Sequence, residues 1–258
     1  MVEILPIPDE PAIVVENEIK VLVISDIHFG IERDLRRSGI NIPSRTDKVI
    51  SRILSLVESV KPERVVILGD LKHNIPWTSW QEKDEIPPFL KRLSEEATID
   101  IAIGNHDGNL DKLVPKSSDI FLHKPQGFVL DGIGYFHGHA WPGSDLFRCE
   151  YLLMGHNHPI IKLTDPLGYV KTIQVWLRAK LKRDVIYSHY GNMQYEDPSL
   201  IVMPAFNELC GGIPVNSTEG RRLLGPLFKS EAVDIDSADI YLIDGINIGD
   251  VRAVRYPL

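Results

Sequence analysis

Cysteine is scarce in this sequence, and long apolar runs are missing. Two cysteines, Cys149 and Cys210, stand among 258 residues. This excludes a disulfide scaffold and a structural zinc finger, and we interpret both as buried thiols in a reducing compartment. No run approaches the roughly 20 apolar residues that span a bilayer. The first residues also lack the basic start and apolar core of a signal peptide. We therefore expect a cytoplasmic protein with no membrane contact.

The chain also lacks a linker, an internal repeat and a low-complexity tract. Its length and its 43% of apolar residues fit one α/β domain. We predict a single domain over residues 1–258. Glycine and proline are concentrated between about 207 and 230, and we interpret that stretch as a loop-rich insertion.

Five short polar clusters are the most informative feature of the sequence. Each follows a short run rich in valine and isoleucine, a pattern typical of a buried strand. Because sheet enzymes gather their sites at the carboxyl ends of strands, we expect the clusters to meet. They are Asp26-Ile27-His28, Gly69-Asp70, Gly104-Asn105-His106-Asp107, His137-Gly138-His139 and Gly155-His156-Asn157-His158.

The residue types in these clusters suit a pair of divalent metals. A carboxylate after a tight glycine turn can bridge two cations about 3.5–4 Å apart, and Asp70 is the candidate. Asp26 and His28, like His156 and His158, stand two residues apart, a spacing that shares one face of an extended segment. Mixed oxygen and nitrogen donors favour manganese, iron or zinc over calcium. The candidate metal ligands are Asp26, His28, Asp70, Asn105, His137, His156 and His158.

Each signal is weak alone, since Gly-Asp is common in turns and a lone histidine is usually a loop residue. The order of the five clusters is a much stronger signal. Over about residues 20–160, this order resembles the pattern of the calcineurin-like metallophosphoesterase superfamily. That pattern is Asp-x-His, Gly-Asp, Gly-Asn-His-Asp/Glu, His and Gly-His-x-His. The resemblance implies that His106 is the catalytic imidazole and that Asp70 bridges the metals. The implied metal sets are Asp26, His28 and His158 for the first, and Asn105, His137 and His156 for the second.

A narrower resemblance is to the ligase-associated metallophosphoesterases and their archaeal relatives. It rests on Asp26–Glu32, Gly39–Pro43, Gly155–Pro159, Met203–Phe206 and Gly211-Gly212. It implies a nuclease acting on DNA or RNA, with a DNA ligase or a helicase as partner.

We predict an α/β fold of the α+β type, a four-layer α/β/β/α sandwich of two mixed sheets flanked by helices. Residues 75–88, with Trp77 and Trp80, are interpreted as an irregular loop that either packs on the surface or forms an aromatic wall for substrate. The predicted helices are Ser44–Val60, capped by Ser44, and residues 87–95. Beyond the five strands before the clusters, the predicted strands are 11–16, 159–163, 169–178, Ser199–Met203, Ile240–Ile243 and Val251–Val254, the last two at an edge.

The formal net charge of −8 argues against a surface that binds long nucleic acid by charge alone. Two segments are locally basic, and a solvated face is the simpler interpretation of both. We favour it for the stretch from Lys171 to Arg183. We favour phosphate contact for Arg33, Arg36 and Arg37, because the motif before them must face the site.

The sequence therefore predicts a two-metal phosphoester hydrolase, a phosphodiesterase or nuclease, with manganese favoured and iron or zinc as alternatives. His106 would stabilise phosphoryl charge and protonate the leaving group, unless it is a structural histidine. Asp107 would orient its neighbours, and His139 would touch substrate, a metal or a ligand. One alternative is a phosphoesterase for nucleotides or other small molecules, which the acidic charge favours. A non-catalytic scaffold is disfavoured because no ligand is missing.

Overall fold

A computed structural model describes residues 2–116, 119–217 and 223–255, and in these ranges the chain forms two mixed sheets and five α-helices. The helices are α1 (Ile31–Arg37), α2 (Thr46–Val60), α3 (Trp80–Ser94), α4 (Arg183–Tyr190) and α5 (Pro226–Lys229). Every helix in the described ranges is too short or too polar to cross a lipid bilayer.

The first sheet opens with an antiparallel meander and continues with parallel strands. Neighbouring strands in the sheet follow the order of the chain, and the parallel pairing begins at the third strand. Its strands are β1 (Glu3–Pro6), β2 (Ile13–Glu16), β3 (Lys20–Ile24), β4 (Arg64–Ile67), β5 (Thr98–Ala102) and β6 (Ile120–His123).

The second sheet mixes parallel and antiparallel pairs around its longest strand. That strand pairs with one neighbour through its first half and with two others through its second half. The strands are β7 (Phe128–Leu130), β8 (Ile133–Phe136), β9 (Tyr151–Met154), β10 (Pro159–Thr164), β11 (Val170–Lys180), β12 (Ser199–Val202), β13 (Ile213–Pro214), β14 (Asp239–Leu242) and β15 (Asn247–Asp250).

Three apolar clusters separate four layers. Strand β3 shows why, because alternate side chains of a strand point to opposite faces. Leu22 and Ile24 pack against α2 and α3, whereas Val21 and Val23 pack against the second sheet, where they share a cluster with Trp176. A third cluster joins the outer face of the second sheet to α4 and α5. The predicted sandwich of two mixed sheets flanked by helices is confirmed.

The predicted start of α2 at Ser44 is wrong. The helix begins at Thr46, and the residue before it, Arg45, makes no side-chain cap. Contacts from other elements fix this end instead. The Arg45 N–H donates to Glu32 at 2.7 Å, and the Thr46 hydroxyl donates to Glu85 at 2.8 Å.

The predicted loop over 75–88 is also wrong in its second half, since α3 begins at Trp80. Ser79 and Glu82 form a capping box, which satisfies two free N–H groups at the helix start. Pro87 and Pro88 lie inside this helix, although proline usually ends or kinks a helix. The capping box outweighs the two prolines here because one face of the helix packs on the first sheet.

Glu82 does more than cap the helix, and its loss should destabilise the protein. Its carboxylate accepts the N–H groups of His73 at 2.9 Å, Asn74 at 2.7 Å and Ser79 at 2.5 Å. We expect Glu82→Gln to lower the free energy of unfolding by about 2–3 kcal/mol, because a buried donor left without its acceptor costs about 1–3 kcal/mol. Urea unfolding measures this, with the exposed carboxylate of the same helix, Asp84→Asn, as the control.

The effect should also depend on pH. Burial alone would raise the pKa of Glu82, but the N–H donors of Asn74 and Ser79 outweigh it and hold the pKa below 4.5. The stabilisation is then complete above pH 4.5 and is lost as the pH falls through the folded-state value. A difference between Glu82→Gln and the parent that stays constant down to pH 3 would contradict this.

Near the carboxyl end, one predicted strand is misplaced. Residues 251–254 form a turn, and the strand is Asn247–Asp250, since the Val251 N–H donates to Ala238 outside the ladder. Strand β14 is not at an edge either, because it pairs with both β11 and β15. Within 207–230 the structure has a 3₁₀ turn, β13 and α5, while 218–222 lie outside the described residues.

Candidate metal centre

The seven predicted metal ligands lie together where five strands end. Three loops leave the carboxyl ends of β3, β4 and β5 in the first sheet, and two leave β8 and β9 in the second. The two sheets stack, so ligands far apart in the chain come within contact distance. The loops carry Asp26 and His28, Asp70, Asn105, His137, and His156 and His158 respectively.

Asp70 is at the centre of the arrangement. Its Oδ2 atom lies 3.6 Å from His28 Nε2 and 3.4 Å from His137 Nε2. The carboxylate belongs to two groups whose ligand atoms lie within 4.8 Å of one another, one with Asp26 and His28 and the other with His137 and His156. A carboxylate shared by two donor groups is the arrangement that a bridging ligand needs.

The donors on one side of Asp70 are an amide and two imidazoles. His137 Nε2 lies 3.2 Å from Asn105 Oδ1 and 3.1 Å from His156 Nδ1. The other ring nitrogen, His137 Nδ1, donates to the carbonyl of Leu68 at 2.7 Å. Since a carbonyl can only accept, Nδ1 holds a proton, and Nε2 is the ring nitrogen that is placed to bind a metal.

The donors on the other side fit a cation because one of them is buried without a hydrogen bond. His158 Nε2 lies 3.1 Å from Asp26 Oδ1. Within the described residues, the buried Nε2 atom of His28 makes no hydrogen bond. Buried polar atoms are nearly always paired. An unpaired imidazole nitrogen beside the carboxylates of Asp26 and Asp70 therefore fits a divalent metal.

The charge states also suit metal binding. Burial lowers the pKa of His28 to about 3, and burial with the nearby charge of His137 lowers that of His156 to about 4. Both imidazoles are neutral at neutral pH, as a ligand must be. Burial would lower the pKa of His137 too, but Asp70 outweighs it and raises the value to about 9. A metal must displace this proton.

The backbone of the ligand loops is held in a conformation that side chains disfavour. Positive φ angles occur at Asp26 (54°), His28 (49°), Asp70 (51°), His156 (71°) and His158 (43°). Each such residue costs on the order of 1–3 kcal/mol, and this strain is concentrated at functional sites. The expectation that the paired ligands share the face of an extended segment is therefore wrong. They converge because the chain turns sharply at each one.

Two glycines make this convergence possible. A side chain on Gly104 would collide with the backbone N and carboxylate of Asp70, and one on Gly155 with Ser25 and Asp26. The sequence motifs need glycine at these positions because neighbouring ligand loops pass in direct contact.

His106 is oriented by its main-chain and ring contacts. Its N–H donates to Asp70 Oδ1 at 2.8 Å, and its Nδ1 donates to the carbonyl of His73. The Nε2 atom is therefore left to face the centre, 3.9 Å from Asp70 Oδ2. The geometry suits an imidazole that contacts substrate more than one that only supports a strand end.

Asp107 ties two ligand loops together, in the orienting role that the sequence suggested. Its buried carboxylate accepts the N–H groups of Asp70 at 2.8 Å, Gly104 at 2.9 Å and Lys72 at 3.3 Å. Burial and the charge of Asp70 raise the pKa of Asp107 to about 6. His139 lies beside His137, with ring centroids 5.3 Å apart.

Two residues at the centre were missed by the sequence argument. His73 stacks on His106, with ring centroids 5.4 Å apart, and its Nδ1 lies 3.2 Å from His28 Nδ1. Cys210, interpreted as an ordinary thiol, groups with His28 and His158 within 4.8 Å. No motif marks either residue. Only the position of His73 three residues after Asp70 could have drawn attention to it.

Comparison with known proteins identifies the sequence pattern. The pattern of the family described as calcineurin-like phosphoesterase matches residues 19–209. No curated protein matches the chain. The crystal structure of Pseudomonas putida nuclease MPE is similar, with a TM-score of 0.53 and 17% identity over 94% of this chain and 98% of that chain. The phosphoesterase Yfce from E. coli has a TM-score of 0.43 and 16% identity over 89% and 96%. At 17% identity, the likeness to the nuclease shows the fold alone.

Proposed function

We propose, because the chain belongs to the calcineurin-like phosphoesterase family, that it hydrolyses phosphodiester bonds of DNA or RNA with two divalent metals. One observation carries the two-metal part of this proposal. Asp70 is shared by two sets of donors, one with Asp26 and His28 and the other with His137 and His156. The oxygen and nitrogen donors support manganese, with iron or zinc as alternatives.

The residues of the centre divide the chemistry between them. Two divalent cations held by these donors would supply positive charge for the phosphoryl oxygens and would lower the pKa of the attacking water. His106 Nε2 donates a hydrogen bond to a phosphoryl oxygen and gives a proton to the leaving oxygen. The carbonyl of His73 accepts from Nδ1–H and fixes the orientation of the ring, so the proton that is transferred is a second one, carried on Nε2 of the imidazolium.

Basic residues next to the centre support a polyanionic substrate. Helix α1 exposes Arg33, Arg36 and Arg37. The helix is close to the centre, because Asp34 Oδ2 lies 3.7 Å from His73 Nε2. The three guanidinium groups are therefore available to phosphates beyond the one that is cleaved.

Two exposed indoles follow His73, one in the loop before α3 and one at the first residue of α3. Trp77 is 80% exposed and Trp80 is 76% exposed, an unusual fraction for side chains of this size. They begin four residues after His73, whose backbone Glu82 holds in place. Exposed aromatic rings near a basic helix of the same site suit stacking of unpaired bases if strand and rings meet, and Trp77 and Trp80 offer such rings. The nuclease function of the Pseudomonas putida protein and the resemblance to ligase-associated enzymes, with a ligase or helicase partner, agree with this proposal.

A second candidate is a phosphoesterase for nucleotides or other small molecules. The net charge of −8 favours it, because long nucleic acid is repelled by an acidic surface. The three arginines favour the first candidate, since a small substrate would not reach past the metals to them.

One panel assay with added manganese tests the proposal. It compares bis-p-nitrophenyl phosphate, p-nitrophenyl phosphate, cyclic nucleotides, and single- and double-stranded DNA and RNA. We expect hydrolysis of the diester and of single strands, and little hydrolysis of the monoester. Cleavage of cyclic nucleotides or the monoester alone would favour the second candidate. No hydrolysis of any substrate by the metal-loaded protein would leave only a binding scaffold.

The arginines give a separate prediction about the substrate. We expect the triple change of Arg33, Arg36 and Arg37 to alanine to raise KM for an oligonucleotide and to flatten its salt dependence. Turnover of bis-p-nitrophenyl phosphate should barely change, since that substrate has no phosphate beyond the one that is cleaved. Steady-state kinetics on both substrates at several salt concentrations measure the effect.

A matched control removes three exposed positive charges elsewhere. Lys171, Lys180 and Lys182 lie in or just after β11 and are exposed. Their replacement by alanine should leave KM and turnover unchanged for both substrates. If both triple variants raise KM equally, the effect is one of net charge, and α1 has no special contact with the strand.

A further inference from the structure

We propose that the Sγ atom of Cys210 is a ligand of the metal bound by Asp26, His28 and His158. The inference rests on the proposed metal centre but not on its substrate. It makes the two metal positions chemically different, because the position of Asn105 has only oxygen and nitrogen donors.

The segment that carries Cys210 is fixed against the first ligand loop. The Phe206 N–H donates to the carbonyl of Ser25 at 2.8 Å, and the Asn207 side chain donates to the carbonyl of Ile27 at 2.9 Å. Cys210 follows in a 3₁₀ turn, with its N–H on the carbonyl of Asn207 at 3.1 Å. The thiol is therefore held beside the metal ligands by contacts of its own segment.

The thiol lies within ligand distance of two imidazoles of the centre. Sγ, a ring nitrogen of His28 and a ring nitrogen of His158 all lie within 4.8 Å of one another. Sγ also lies 3.8 Å from the main-chain oxygen of Asp26. His28 is only 3% exposed, and within the described residues its Nε2 atom makes no hydrogen bond. A buried, unpaired imidazole nitrogen beside a thiol points to a cation between them.

Sulfur changes which cation the position prefers. A thiolate is a soft donor that selects zinc or iron, whereas carboxylate and amide oxygens suit manganese. On binding, the S–H bond breaks, the proton passes to solvent, and a metal–sulfur bond forms. We expect the position with Cys210 to hold zinc or iron(II) and the position with Asn105 to accept manganese.

Absorption of the cobalt(II)-loaded full chain tests the assignment without any substrate. Thiolate ligation gives a sulfur-to-cobalt charge-transfer band in the near ultraviolet, and imidazole and carboxylate ligation do not. We expect the band in the parent protein and its loss in Cys210→Ser. The other cysteine is the matched control, and Cys149→Ala should keep the band because Cys149 lies in the core of the second sheet. Elemental analysis gives the cobalt bound per chain.

Zinc affinity provides a second measurement on the same variants. Loss of even a supporting contact of a metal ligand costs about 10–100-fold in affinity, so we expect Cys210→Ser to weaken zinc binding by at least about 100-fold. The affinity for manganese should change less than about 10-fold, because the oxygen donors are intact.

Each outcome decides the matter. A band that persists in Cys210→Ser, or a cobalt-loaded parent protein without the band, overturns the assignment, and so does a parent protein that binds no cobalt. The parent spectrum needs no variant, so a variant that fails to fold does not obstruct the test. A parent protein with the band but no hydrolysis of any phosphoester would overturn the proposed function and leave Cys210 as a ligand. Hydrolysis of a phosphoester by a protein without the band would support the proposed function and would overturn Cys210 as a ligand.

Discussion

Replacing Asp70 with asparagine is expected to remove metal-dependent hydrolysis and leave the chain folded. An amide cannot bridge two cations as a carboxylate does. It is also neutral, so it does not offset the repulsion between the two cations. A bound metal contributes several kcal/mol to the barrier, so the loss should be about 10³-fold or more. The fold should survive because the amide oxygen can still accept the N–H of His106, as Oδ1 does now at 2.8 Å. Turnover of bis-p-nitrophenyl phosphate measures the loss.

The same chemical change on the surface is the control. Asp111 is exposed and lies in a 3₁₀ turn after the Asn105 loop. Asp111→Asn should keep full activity and metal content. If metal-saturated Asp70→Asn turns over substrate at the parent rate, Asp70 does not bridge the metals.

His106→Ala should separate catalysis from metal binding. The Nδ1 atom donates to the carbonyl of His73, and Nε2 lies 3.9 Å from Asp70 Oδ2. The Nε2 edge of the ring therefore faces the centre. Loss of a general acid costs about 10²–10⁴-fold. We expect a loss in this range with the metal content unchanged. A substrate whose leaving group has a low pKa should partly rescue the variant, because that leaving group needs no proton.

An exposed histidine elsewhere is the control for this variant. His189 lies in α4, and its ring stacks on Trp141. His189→Ala should behave like the parent. If His106→Ala purifies without metal, His106 is a ligand, and its assignment as a proton donor is wrong.

The sequence could place the predicted ligands at strand ends because each lies within a few residues of a short buried strand. Local order therefore placed Asp26, Asp70 and Asn105 at the ends of neighbouring parallel strands. Nothing local says that the second sheet stacks on the first, and only that packing brings His137 and His158 to the same centre. The resemblance to a known family supplied that step.

Other features depend on contacts that no short pattern encodes. The left-handed backbone at His158 follows from the turn between two strands, not from a propensity of histidine. Cys210 reaches the centre because Asn207 is bonded to the chain beside Asp26. Helix α3 begins earlier than predicted because the cap of Ser79 and Glu82 outweighs the two prolines inside the helix.

Anomalous diffraction from crystals of the protein loaded with zinc and manganese tests the central claim most directly. The account predicts two anomalous peaks about 3.5–4 Å apart, with the Asp70 carboxylate between them. One peak should lie beside Asp26, and the other beside Asn105. A single peak at full metal occupancy, or two peaks that do not share Asp70, would contradict a two-metal centre built around this carboxylate.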